Sequence, residues 1–267
     1  MKEQLIITHP GSAHFDEVTA ISLILAVNHA RRFKVERREP DITELENPEV
    51  WVVDVGDRLE PEKLNFDHHQ SADCPASFHL VAEYLGLKES MSVLPWWEFK
   101  DKVDRIGAER ASREFKAGDD LVNKNPVETW LTDFFASETE TSLEILKSFG
   151  THIIDNARTL KRQIDYWKTS TRLMISGIPA MMGDTRESAG LEEFRRLVKD
   201  PPGIVISMDR RGEGWRLFRY EGTPVDFSRL AGLPEIEFAH KSGFMAKTRE
   251  KLSTEALISL ICKAIIR

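Results

Sequence analysis

Cysteine is scarce in this 267-residue chain: there are two, Cys74 and Cys262, far apart and without a partner motif. That excludes a disulfide scaffold and a cysteine-ligated zinc site, and makes reduced thiols in a cytoplasmic protein the simplest expectation. No apolar run reaches the roughly 20 residues that cross a bilayer, so neither a transmembrane helix nor a membrane partner is expected. The opening residues Met1-Lys2-Glu3-Gln4 lead into a short strand-like segment, without the apolar stretch of a secretory signal. There is no His-Glu-x-x-His helix of the kind that holds zinc in peptidases. Net positive charge is missing as well, and a formal charge of -7 argues against a protein that coats nucleic acid indiscriminately.

What is present is the composition of a globular protein, 41% hydrophobic and 30% charged, long enough for a large core and two domains. Charge is unevenly spread: residues 1–170 carry a net -10, whereas residues 172–267 carry +3. An acidic half beside a mildly basic one suits metal ligands and a polyanionic substrate, although ordinary surface variation explains it as well.

The first hundred residues alternate between strand and helix patterns. Leu5–Thr8, Phe33–Arg38, Val50–Val55 and Leu64–Asp67 read as strands. Glu17–Ala30, Ser77–Leu85 and Val93–Ile106 read as helices, with Asp16 placed to cap the first. The continuous apolar run Val50-Trp51-Val52-Val53 is that of a strand buried on both faces, so the alternation predicts a parallel sheet covered by helices. Residues 127–168 read as connecting helices, broken at most near Gly150. Beyond them, Leu173–Ser176, Gly203–Asp209, Trp215–Tyr220 and Ile236–Ala239 are candidate strands, and Leu191–Lys199 and Leu252–Ile266 candidate helices. These predict an α/β architecture with a domain at residues 1–168 and a smaller α/β domain at residues 169–267.

The polar residues fall where such a sheet puts its ligands, just past the carboxyl ends of strands. His9, His14 and Asp16 follow the first strand, Asp54 ends the third, and Asp67-His68-His69 follow the fourth. Asp54 stands in otherwise apolar sequence, where an unpaired carboxylate is costly and a metal ion would neutralise it. Each residue alone has a plainer reading: Asp16 as a helix cap, Asp54 as a hydrogen-bonded buried acid, a histidine after a strand as a turn residue. Jointly they point to a divalent-metal site. His29, His79 and His152 read as structural.

Four strings in order resemble the DHH phosphoesterase superfamily, and within it the melanocyte-proliferating-gene family of metal-dependent hydrolases. They are Thr8-His9-Pro10-Gly11-Ser12-Ala13-His14-Phe15-Asp16-Glu17, Val53-Asp54-Val55-Gly56, Phe66-Asp67-His68-His69-Gln70, and Phe238-Ala239-His240-Lys241-Ser242-Gly243-Phe244 followed by Lys247-Thr248-Arg249. The resemblance implies a DHH-type catalytic domain and a DHH-associated substrate domain. It implies His9, His14, Asp16, Asp54, His68 and Asp104 as metal ligands, with Asp101 close enough to Asp104 to compete for that role. Asp67 is implied to orient His68, His69 to meet the substrate, and His69 or His240 to act as general acid. His240, Lys241, Gly243 and Arg249 are implied to hold phosphate, with Arg249 near the start of the last helix. His240 packing beside Phe238 and Phe244 is the plain alternative.

A ligand set of carboxylates and imidazoles without thiolate favours two manganese ions, with magnesium, zinc and iron as alternatives. The expected activity is hydrolysis of phosphodiesters in RNA, DNA or short oligonucleotides by an exonuclease-like enzyme. The alternatives are a phosphatase acting on pyrophosphate or nucleotides, and a metal-stabilised binding module without turnover. Exposed apolar faces on the long helices would allow a homodimer. The sequence does not choose the polymer, the polarity of attack or the native metal.

Overall fold

The computed structural model describes residues 3–116, 125–187 and 190–266, which divide into two compact units, residues 1–159 and 160–267. The division lies inside one continuous helix, Thr139–Thr169. Among the described residues no helix is long and apolar enough to cross a membrane, and both cysteines are free thiols.

The first unit is built on a five-stranded sheet. Its strands are β1 (Gln4–Thr8), β2 (Phe33–Arg37), β3 (Trp51–Val53), β4 (Leu59–Glu60) and β5 (Asn65–Phe66), in the order β2-β1-β3-β5-β4. β2, β1, β3 and β5 run parallel, and only β4 is antiparallel to its neighbour. Ile6, Ile7, Val52 and Val53 are all fully buried, as expected of central parallel strands covered on both faces. Ile7 and Val52 pack with Leu45 of the short helix α2 (Ile42–Leu45), while alternation turns Ile6 and Val53 to the opposite face. Helix α1 (Phe15–Val27) contacts β3 and is buried continuously from Asp16 to Leu25, so it is an internal helix, wrapped on all sides. Helices α3 (Ser77–Tyr84) and α4 (Trp97–Ile106) pack against it.

The connecting region breaks at Glu138, between the helices Pro126–Ser137 and Thr139–Thr169, and not near Gly150. Gly150 lies where the long helix crosses α1: a Cβ there would collide with the Ser22 carbonyl. The glycine permits close helix contact and does not end the helix.

The second unit holds six strands: β6 (Thr171–Ile175), β7 (Ile178–Gly183), β8 (Ile204–Met208), β9 (Trp215–Arg219), β10 (Ile236–Ala239) and β11 (Met245–Thr248). Their order is β10-β11-β9-β8-β7-β6, and only β7 and β8 pair in parallel. Two strands, β7 and β11, exceed the four expected. Leu257, Leu260 and Ile261 of the helix Thr254–Ala264 cover one face of the sheet, against Ile204, Ile206 and Leu217. Trp167 and Phe194 cover the other, against Val205 and Met181.

Candidate functional site

β1, β3 and β5 are adjacent and parallel, so the residues that follow them emerge at one edge of the sheet. Those residues are His9, Asp54 and Asp67-His68. Asp54 takes a left-handed backbone conformation (φ 58°), which aspartate tolerates better than most residues and which costs on the order of 1–3 kcal/mol. Strained backbone of this kind concentrates at functional sites.

The imidazole of His68 is the hub. Its Nε2 lies 3.0 Å from Asp104 Oδ2 and 3.4 Å from both Asp16 Oδ2 and Asp54 Oδ1. On the other side of Asp54, His9 Nε2 lies 3.7 Å from Asp54 Oδ2 and 3.1 Å from Glu17 Oε1. The rings of His9 and His14 are 5.0 Å apart. Donor atoms fall into three overlapping groups: His9, His14, Glu17 and Asp54; Asp54, His68 and His69; and Asp16, His68 and Asp104. Asp54 and His68 each belong to two of them. All six residues expected as ligands are therefore brought together.

The N-terminus of α3 fixes the acid positions. Ser77 and Phe78 donate their backbone N–H groups to Asp16 at 2.9 and 2.6 Å, and Ala76 donates to Asp101 at 2.8 Å. Asp16 thus caps α3 and not its own helix, α1. The other oxygen of Asp101 accepts from Arg105, so Asp101 is occupied structurally and Asp104 faces the cluster. Exposed amides at a helix start are satisfied by carboxylates in this way.

Glu17 is the member that the sequence reading missed. Fully buried, it accepts the backbone N–H of His14 at 2.8 Å through either oxygen, and Arg37 stands 3.8 Å away. Its signal was its place three residues after His14, the spacing of a capping box. Asp67 corrects a second expectation. Its carboxylate binds His69, through Nδ1 at 2.7 Å and the backbone N–H at 3.1 Å, together with the N–H of Asp57. It therefore orients His69 and not His68, because the chain turns after β5 and an aspartate there reaches the backbone N–H two residues on.

Electrostatics show what the cluster lacks. Burial pushes the Asp16 carboxyl well above its ordinary range, and the charges of Asp54 and Asp104 push it further. Burial alone would lower His68, but Asp104, Asp54 and Asp16 outweigh it and hold the imidazole up at about 11. Hydrogen bonding to Glu17 raises His9 to about 9. Asp54 Oδ1 is buried, and among the described residues no donor meets it with hydrogen-bond geometry. A negative cluster that recruits protons and leaves a buried carboxylate oxygen open fits divalent cations. The cluster lines a crevice of about 620 Å³, into which His69 projects with its side chain 58% exposed.

The second unit departs from expectation. His240 Nδ1 accepts the Ser242 backbone N–H at 3.2 Å and contacts its hydroxyl at 2.6 Å, and the ring lies 4.4 Å from that of Phe244. The Gly243 N–H donates to the His240 carbonyl, closing a turn, and so is not open to cradle an oxyanion. Gly243 is needed because a Cβ would strike Asp226. Lys241 is exposed. Arg249 donates to the Pro234 carbonyl and precedes the last helix by several residues. The cations gather elsewhere: Arg186, Arg210, Arg211, Arg216 and Lys247 line a cavity of about 340 Å³ with Asp209. None of His240, Lys241, Gly243 and Arg249 lines it.

Comparison with known proteins adds a family match over part of the chain. Residues 5–86 match the family model MYG1_exonuc. Its description reads "Uncharacterised protein family (UPF0160)". The family resemblance read from the motifs holds over this segment, which contains the first three strings but not the fourth. None of the curated proteins compared with the chain matches it. Among solved structures, RecJ from Thermus thermophilus in complex with Mg2+ aligns at TM-score 0.30 and 10% identity, over 99% of this chain and 51% of that one. The same protein with Mn2+ aligns at TM-score 0.28 and 13% identity, over 99% and 53%. The chain thus spans about half the length of these RecJ chains, and the reading of the site rests on its own residues.

Proposed function

We propose that the protein is a two-metal phosphoesterase acting on phosphodiesters of RNA, DNA or short oligonucleotides, in the manner of an exonuclease. The observation that carries this reading is the overlap of the donor groups at Asp54 and His68 in an open crevice. His9, His14 and Asp54 would hold one ion, and Asp16, Asp54, His68 and Asp104 the other. The donors are carboxylate and imidazole, which suits manganese or magnesium. Such a pair, when bound, supplies an acidified water and charge stabilisation for an in-line displacement at phosphorus.

The chain's own residues do the rest. Asp54 is shared between the two donor groups and couples their positions. His69, fixed through Nδ1 by Asp67, offers its other nitrogen to the crevice, where it can protonate a leaving oxygen. In the second unit, the basic cavity provides charge-assisted donors for a phosphate, with Arg216 and Lys247 as its half-buried members. Residues 1–168 would thus serve as the catalytic region and residues 169–267 as the substrate-binding one. The family label, which carries the abbreviation of exonuclease, agrees with this reading.

The test is release of mononucleotides from end-labelled RNA and DNA oligomers with manganese, magnesium or zinc added. Release that needs a metal supports the reading. Absence of release with every metal sinks it, and pyrophosphate and free nucleotides run alongside report whether a smaller phosphoester is cleaved instead.

A further inference from the structure

We infer that a second cavity of the first unit is a base-binding subsite, which takes the nucleobase of the nucleotide whose phosphate enters the metal crevice. The inference rests on the phosphoesterase reading above. The cavity measures about 340 Å³, within the roughly 300–1,000 Å³ of small-molecule pockets. It shares Phe15, Lys100, Asn125 and Glu128 with the crevice, so the two spaces adjoin along one partition. Phe15 stands between His14 and Asp16, and the first turn of α1, which presents metal donors, therefore also presents an aromatic wall.

Three half-buried rings line the space. Trp96 meets Phe15 edge to face at 5.5 Å and 87°, and Phe149 meets it at 6.5 Å and 76°. In an edge-to-face pair the ring that presents its edge keeps its own faces clear of its partner, which leaves π surface on the wall for a flat ligand. The partition is charged: Lys100 Nζ lies 2.6 Å from both oxygens of Glu128 and 4.9 Å from the centre of the Phe15 ring. Exposed Asn125, His152 and Asn156 stand at the rim, where amides and imidazole can pair with the polar edge of a heterocycle. A phosphate alone has no use for aromatic walls, and an aliphatic side chain has none for three polar groups at the rim. A nucleobase uses both.

The experiment compares adenosine 5′-monophosphate with ribose 5-phosphate, titrated into the full chain with manganese present. The expected result is binding of the nucleotide about ten-fold more tightly, the scale of one base stacked on aromatic rings. Phe149→Ala should reduce that preference to less than about three-fold. Because loss of Phe149 also loosens packing, a His152→Ala/Asn156→Ala double variant provides a second reading at exposed positions. It should lower the preference by about two- to five-fold. Equal affinity for the two probes, or a preference that neither variant changes, overturns the base subsite and leaves the phosphoesterase reading standing. Failure of both probes to bind, together with absence of oligomer cleavage, overturns both.

Discussion

In the first unit, Asp16, Asp54 and Asp104 surround the single imidazole of His68, whereas in the second unit Arg186, Arg216 and Lys247 gather around the buried carboxylate of Asp209. The first cluster compensates its negative charge by raising imidazoles and carboxyls towards their protonated forms. The second does the reverse. Burial would raise Asp209, but Lys247 at 2.7 Å holds it below its ordinary range, while burial and Arg210 press Arg216 downward. The charge of one cluster suits cations and that of the other suits anions. Each follows from the same rule, that like charges brought together in low dielectric need a counter-charge.

The largest effect should come from removing the shared donor of the acidic cluster. Asp54→Asn keeps the shape and removes the charge common to two donor groups. Loss of activity should exceed the ~100-fold typical of residues that merely support a metal ligand. Metal content of the purified protein should fall with it. Retention of both full metal content and activity would show that Asp54 is only a buried, strained acid.

A smaller effect should follow at Asp67, which touches His69 and not His68. Asp67→Asn should lower kcat by about 10- to 100-fold while bound metal stays unchanged, because it disorients a proton donor. Metal loss on this substitution would return Asp67 to a role beside His68. Smaller still is the effect in the basic cluster. Arg216→Met should raise KM for an oligonucleotide by about ten-fold and reduce the salt dependence of binding by about one phosphate contact. A fall in kcat with KM unmoved would place Arg216 in the chemistry and erase the contrast between the clusters.

How far the sequence announced this arrangement depends on the range of each signal. β1 and β3 were legible because central parallel strands are continuous apolar runs. His9 and Asp54 were legible because they follow such runs, and His68 because it stands in the Asp67-His68-His69 triplet. β4, two residues long, and β11, four residues long, are too short for a period to emerge. β7 was hidden although the Ser176-Gly177 pair, both at positive φ, makes the two-residue turn between β6 and β7. Asp101 and Asp104 are three residues apart on one helix, and what separates them is the tertiary partner, Ala76 for one and His68 for the other. The same holds at Gly150, whose meaning is the Ser22 carbonyl on another helix. In the second unit, the amides near Gly243 were spent inside a turn, and the cations came from strands and loops distant in sequence.

The smallest effect concerns acid, and it separates the acidic cluster from its surroundings. His79 lies in α3, two residues past the Ser77 amide that holds Asp16, and its ring stacks on Trp97 at 4.7 Å. Burial lowers its pKa below the ordinary 6.5, with Asp101 and Glu98 offsetting only part of that. A base whose folded pKa is depressed contributes stability that is present above its unfolded pKa and declines as pH falls below about 6.5, where the unfolded chain takes up the proton first. His9 behaves oppositely: raised to about 9, it favours the metal-free fold below 6.5 and loses that contribution as pH climbs through 9. Urea unfolding of the metal-free protein should therefore show stability falling between pH 6.5 and 5, and His79→Phe should flatten that fall while leaving the decline towards pH 9 in place. Parallel losses in the parent and the variant below pH 6.5 would show that the acid sensitivity does not come from His79.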